Sequence, residues 1–210
     1  MKKLVLLFAA LLVAGCGEKS SPESSDSASE ESNSLSDADV EQLVKEAVDR
    51  DSIEERDGLY YQTNESEPFS GWAKSMYDSG QVQALAQFKD GKQDGLFTVW
   101  DENGQKMAET IHKDGELDGL WTSWHENGQK RGEGTYKDGK RNGPATSWHE
   151  NGQKDREGTY KDGKPDGLGT MWHENGQKMN ESTYKDGELI SEKWWNAKGE
   201  EVETEEEAFK

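Results

Sequence analysis

Three histidines, His125, His149 and His173, recur at a step of 24 residues, and four glutamates, Glu109, Glu133, Glu157 and Glu181, keep the same step. Imidazoles are zinc ligands, and a carboxylate pair is the machinery of glycoside hydrolysis. Spacing argues against both. If each unit is two strands about 4.8 Å apart, equivalent side chains stand about 9.6 Å from one another. Zinc needs its nitrogens within about 2.1 Å of one ion. The glutamates are likewise too widely spaced for a glycosidase pair, and are expected to meet lysine or arginine across a sheet. The repeated "KDGK" lacks the acidic alternation and bidentate glutamate of a calcium loop and reads as a turn. There is no G-x-x-x-x-G-K-[ST] and no G-x-S-x-G, and the one cysteine is Cys16. The expectation is a chain with no catalytic residue, no metal and no cofactor, hence not an enzyme.

The elements that carry these columns are legible from their punctuation. Gly104, Gly128, Gly152 and Gly176 fall in step, as do Gly115, Gly139, Gly163 and Gly187, and as do Gly71, Gly95, Gly119, Gly143 and Gly167. Between them Trp100, Trp124, Trp148 and Trp172 share one position, and Phe88, Tyr136, Tyr160 and Tyr184 another, interrupted by His112. A fixed period in this range marks stacked supersecondary units. Each unit reads as strand "GLWTSWH", turn "ENGQ", strand "KRGEGTY" and turn "KDGK", because Asn-Gly and Asp-Gly between β-prone runs supply the positive φ that hairpin turns require. The predicted fold is all-β, a single-layer twisted antiparallel meander of 24-residue β-hairpin repeats over 58–199, preceded by one short helix.

Register decides which side chains share a face. A three-residue loop at Asn127-Gly128, closed by the glycine as a G1 bulge, makes opposed residue numbers sum to 254 and sets Trp124 against Lys130. Leu120, Thr122, Trp124, Gly132, Gly134 and Tyr136 then share one face. A similar loop at Lys137-Asp138-Gly139 gives 276, a slip of two residues per repeat, and a sheet that must coil. On this register Trp100, Trp124, Trp148, Trp172, Tyr136, Tyr160 and Tyr184 form the repeat core. The other face, with Trp121 and its equivalents Phe97, Ala145 and Gly169, together with Ser123, His125, Glu133 and Thr135, is expected to be wet. Phe97, Trp121, His125, His149 and His173 are the candidate partner contacts.

Of 210 residues, 44 are acidic and 25 basic, a formal charge of -19, and only 30 % are hydrophobic, although eight are tryptophan. Such a chain repels phosphates, which excludes nucleic acid as a partner. Its ends read differently. Lys2 and Lys3 precede the apolar run Leu4–Val13, which has the length of a signal peptide rather than of a membrane span. The following Val13-Ala14-Gly15-Cys16 resembles the bacterial lipobox. That resemblance implies removal of residues 1–15, acylation of Cys16 and a membrane anchor at the new N-terminus; Gly17, not aspartate, after the cysteine favours the outer membrane of a Gram-negative cell. Residues 16–36, "CGEKSSPESSDSASEESNSLS", read as a disordered acidic tether. Within 37–57 the stripe Val40, Leu43, Val44, Ala47 and Val48 predicts a capping helix over about 39–50. Residues 200–210, with six acidic residues and one basic, read as a solvated tail.

The pattern "GLWTSWHENGQKRGEGTYKDGKRNG", with the preceding "RDGLYYQTNESEPFSG", resembles the bacterial variant of the MORN repeat found in YwqK-type antitoxins. The resemblance covers about 57–200 and implies stacked hairpins used for protein contacts, and in some settings toxin neutralisation. The leading expectation is a non-enzymatic, lipid-anchored module for protein–protein interaction at the cell envelope. An antitoxin or immunity role is the first alternative. A module that stacks tryptophan on cell-wall glycan is the second.

Overall fold

The computed structural model describes residues 35–209. The expected signal peptide, the lipidation site Cys16 and nearly all of the tether lie outside them. One sheet dominates. From Gly71–Met76 through Val82–Lys89, Lys92–Trp100, Lys106–Lys113, Glu116–Trp124, Lys130–Lys137, Lys140–Trp148, Lys154–Lys161, Gly167–Trp172 and Lys178–Lys185 to Glu188–Trp195, each strand pairs antiparallel with the next. This is the long antiparallel meander that the hairpin signals predict.

The register differs from the expected one. The Asn127-Gly128 loop has three residues: His125 N–H donates to Gln129 O, Gly128 N–H donates to His125 O, and Trp124 stands opposite Lys130. Arg131 then bulges out, Ser123 meets Gly132, and the remaining pairs of that hairpin sum to 255. At the second turn Asp138 (φ 48°) and Gly139 (φ 73°) both lie left-handed, the geometry of a two-residue type I′ turn, so Lys137 faces Lys140 and the sum is 277 rather than 276. Two further residues are taken up between Arg141 and Ala145, where Gly143 sits at φ 118°, and the sum becomes 279. From 255 to 279 is 24, the length of the repeat. Equivalent residues therefore stand in straight rows across the sheet, and the predicted slip does not accumulate.

The bulge also reassigns the faces, because a shift of one residue sends every later side chain to the other side. Trp124 shares its face with Thr122 and Glu133, while Tyr136 lies with Trp121, Ser123, Gly132 and Gly134. The grouping of Trp124 with Tyr136 is thus corrected, as is the placing of Glu133 and Thr135 beside Trp121. The two sides are called here the tryptophan face and the tyrosine face.

The N-terminal end carries the densest packing. A helix, Asp37–Glu46, starts at Ser36 in a capping box with Asp39. It ends sooner than the apolar stripe suggests, because Ala47 turns extended and Val48–Asp49 pairs parallel with Ala73–Lys74. Its Val40, Leu43 and Val44 pack on the tryptophan face against Ala47, Leu85, Trp100, Trp72 and Val82. The opposite side is covered by the hairpin Ile53–Arg56 and Leu59–Gln62, whose Ile53 and Tyr60 join Phe69, Ala73 and Phe88. Among the described residues the first hairpin is thus covered on both sides. At the C-terminal end the acidic tail, expected to be solvated, adds a short strand, Glu201–Val202, against Trp194 and Trp195 and a helical turn, Glu205–Ala208, whose Ala208 is fully buried.

Candidate interaction surface

The tryptophan face spends its charged groups on itself. Lys106, Lys130 and Lys178 reach Glu109, Glu133 and Glu181 at 2.6, 2.7 and 2.5 Å, and Lys154 pairs with Glu157. These pairs run along a strand, not across the sheet as expected. Residues three apart in a regular strand point to opposite sides; the bulge between them, Arg131 in one repeat, brings them together. Each lysine also lies over the ring of the next tryptophan: Lys106 Nζ is 5.8 Å from the Trp124 centroid, Lys130 6.0 Å from Trp148, Lys154 5.6 Å from Trp172 and Lys178 5.2 Å from Trp195. Each such contact is worth about 0.5–1 kcal/mol at a partly exposed site. Trp100, beneath the helix, is buried, whereas Trp124, Trp148 and Trp172 are half-buried.

The histidine column lies on the loop edge. His125, His149 and His173 place Nε2 at 2.7, 3.1 and 3.0 Å from the carbonyl oxygens of Trp148, Trp172 and Trp195. A carbonyl only accepts, so Nε2 carries the hydrogen and each ring ties its loop to the next repeat. Tyr77 does the same to Trp100 O at 2.8 Å. A neighbouring row was read only as turn residues: Asn127, Asn151 and Asn175 donate Nδ2 to Glu150 O, Glu174 O and Ala197 O. The signal was present, because this turn position holds asparagine at 103, 127, 151 and 175 and never aspartate, which has no amide to donate. Among the described residues no group of three or more His, Cys, Asp or Glu is arranged to hold a metal ion. No helix among them is long and apolar enough to cross a membrane.

The tyrosine face is where side chains remain turned outward. Phe97 and Trp121 are half-buried in its central row, and the Trp121 ring lies over Gly132, where a Cβ would approach it to 3.1 Å. A second row holds Phe88, His112, Tyr136, Tyr160 and Tyr184, with Phe88 and Tyr136 buried and the last two half-buried. Arg141, which sequence reading passed over, stands opposite Tyr136 and between its ring and that of Tyr160, at 5.8 and 5.2 Å. Its position is occupied by Gln93, Leu117, Pro165 and Leu189 in other repeats, so the break in the column was visible. Gly104, Gly128, Gly152 and Gly176 sit at φ 81–82°, and Gly115, Gly139, Gly163 and Gly187 at φ 73–93°.

His112 is the exception in the tyrosine row. It packs edge-on against Phe97, with centroids 6.1 Å apart, and Gln93 Nε2 lies 3.3 Å from its Nδ1. Burial holds its pKa below the ordinary histidine value. The unfolded chain takes up this proton near pH 6.5 while the folded chain resists it, so acid favours unfolding and stability rises with pH through that window. His112→Phe, which installs the residue found at Phe88, is expected to flatten the dependence. Melting temperatures of both proteins between about pH 5 and about pH 7.5 check this; equal slopes would refute it.

Comparison with known proteins agrees with the repeat unit. Residues 93–114, 117–138 and 141–162 match the MORN repeat variant, and residues 157–178 match the MORN repeat. No curated protein matches the chain. Among solved structures, that of an S. aureus TarM mutant in complex with fondaparinux, alpha-GlcNAc-glycerol and UDP is similar at 11 % identity and a TM-score of 0.30, over 46 % of this chain and 19 % of that one. A second structure, titled "Crystal Structure of TarM", is similar at 12 % identity and a TM-score of 0.30, over 47 % and 20 %. The chain thus spans about a fifth of the length of these structures, and the likeness supports no inference about activity.

Proposed function

We propose that this MORN-repeat protein is a non-enzymatic, lipid-anchored module that docks a partner protein at the bacterial cell envelope. The observation that carries the reading is the straight-row register, which turns separate hairpins into one continuous face. On that face Phe97 and Trp121 stand two strands apart in one row, and Tyr160 and Tyr184 two strands apart in the next, all four half-buried. Half-buried aromatics of this kind give large contact area at small entropic cost. Conversely, the histidines that first suggested chemistry are engaged with the neighbouring repeat, and the glutamates with a lysine of their own strand. The lipobox-like Val13-Ala14-Gly15-Cys16 supports the anchor, since acyl chains contribute about 0.8 kcal/mol per buried CH₂.

In-cell crosslinking after membrane fractionation tests both parts. Wild-type protein is expected in the membrane fraction, crosslinked to a defined protein. Cys16→Ser is expected to leave that fraction or persist as an unprocessed precursor, and Trp121→Ala to keep its melting temperature while losing most of the crosslink. A Cys16→Ser protein that is processed like the wild type and stays in the membrane fraction would end the anchoring claim. A wild-type protein that captures nothing would end the docking claim.

A further inference from the structure

The last long strand, Glu188–Trp195, leaves the sheet with an open edge. On its inner side it pairs with Lys178–Lys185, whereas on its outer side Glu201–Val202 meets only Trp194 and Trp195. Residues 188–193 are all exposed, Leu189 at 45 % and Ile190 at 62 %. An edge of this kind presents a row of backbone N–H and C=O groups to any chain that lies along it. The opposite end of the sheet is taken. There Val48–Asp49 pairs with Ala73–Lys74, and the helix and the N-terminal hairpin pack on either side.

The interior units show what this edge lacks. In them a turn glycine donates its N–H to a carbonyl of the unit before: Gly115 to Gln93 O, Gly139 to Leu117 O, Gly163 to Arg141 O and Gly187 to Pro165 O, at 2.8–3.1 Å. Leu189 is next in that column, so its carbonyl faces outward, and no Asp-Gly turn follows it. The adjoining column changes type. Asp94 and Asp118 accept the N–H of Asp114 and Asp138 in the following turn at 3.1 and 3.3 Å, Asn142 and Asp166 share their column, and its last member is Ile190. Where the repeat stops, a polar residue that couples one unit to the next is thus replaced by an exposed isoleucine.

Charge is the second, independent feature. Residues 186–209 hold nine acidic and two basic side chains, a net of -7, and one of the two, Lys193, is 3.0 Å from Glu201. Residues 121–182, by contrast, carry ten of each sign. Glu188 stands where other units have Lys92, Lys140 and Lys164, and Glu192 continues the row of Gly169 and Ser182. Neither carboxylate is demanded by the repeat.

We infer that the outer edge of residues 188–193 receives an extended, basic segment of another protein, which adds as one more strand and lays an apolar side chain against Leu189 and Ile190. Main-chain hydrogen bonds supply affinity in such an addition, and the side chains beside them supply the choice of partner. At about 3.4 Å per residue the contact is about 20 Å long. A second copy of this chain is a poor occupant. Edge to edge it brings two ends of charge -7 together, and head to tail it has to displace Val48–Asp49. The inference goes beyond the docking face proposed above, since it uses neither Phe97 nor Trp121.

Selection of a random dodecapeptide display library on the full-length protein in detergent tests this. Enriched peptides are expected to alternate Lys or Arg with apolar residues and to bind more weakly as salt rises. They should lose at least about tenfold in affinity to Ile190→Lys and to the double variant Glu188→Lys, Glu192→Lys, while Trp121→Ala binds them as wild type does. The altered edge side chains are exposed, so melting temperatures should be kept. A strand added at an edge uses the N–H groups of alternate residues. Synthetic copies of an enriched peptide, N-methylated at every second residue, should therefore lose binding in one phase and keep it in the other. No enrichment, enrichment without basic bias, equal binding to all variants, or equal loss in both phases overturns the inference. So does a concentration-dependent dimer in sedimentation that Ile190→Lys abolishes, which would assign the edge to a second copy. If the in-cell crosslink fails while these peptides bind, the docking face is wrong and the edge stands; if the crosslink holds and no peptide is enriched, the reverse is true.

Discussion

Leu85→Glu is expected to undo the N-terminal end of the sheet, lowering stability by about 5 kcal/mol. The substitution restores the residue that every later repeat carries at this position, Glu109, Glu133, Glu157 and Glu181. In those repeats a lysine three residues earlier compensates the carboxylate; here that position is Val82. Leu85 is fully buried with Ala47 and Trp100, under Val40, Leu43 and Val44 of the helix. A glutamate there would be an unpaired buried charge. Denaturant titration with hydrogen exchange over 37–48 should show loss of helix protection well before the later repeats open. The double variant Val82→Lys, Leu85→Glu should recover sheet stability without recovering the helix. An unchanged midpoint and unchanged protection in the single variant would show that the helix does not depend on this contact.

The second large effect separates two glycine columns that look alike in sequence. Gly119 has φ 138°, and a Cβ there would lie 2.9 Å from Ile111 Cβ and 3.2 Å from its Cγ2. Backbone strain and overlap add, so Gly119→Ala is expected to cost about 3–4 kcal/mol. Gly128 has φ 82° but open space, with Gln105 at 3.9 Å as its nearest contact. There only the left-handed penalty applies, about 1–2 kcal/mol. Urea midpoints of the two variants should differ accordingly, and equal losses would mean that the contact with Ile111 relaxes freely.

The period and the hairpins were readable because a turn that needs positive φ leaves Asn-Gly or Asp-Gly behind in the chain. The faces were not. Trp124 and Tyr136 are sent to opposite faces by one bulged residue, Arg131, which leaves no residue-type signature strong enough to override the appeal of gathering aromatics. The stripe from Val40 to Val48 announced the helix but not its end, since Ala47 and Val48 continue the stripe while the sheet claims them. The histidine column was visible as a column. Its attachment to the Trp148, Trp172 and Trp195 carbonyls depends on which backbone atom the next repeat brings alongside, and that requires the register. Arg141 carries no periodic signal at all, because its column otherwise holds Gln93, Leu117, Pro165 and Leu189.

The cancelling bulges reach back to the gene. Because equivalent residues meet at a step equal to the unit length, a recombination event that copies or removes one unit's codons joins cleanly to what remains, with both sides of the sheet unchanged in identity. Only the terminal units, with Leu85 under its helix and Ser191 in place of glycine, are fixed in place. Such a chain can change length by unequal crossing-over within its interior, and each event moves the arginine-bearing unit a whole number of strand pairs nearer to, or farther from, either end.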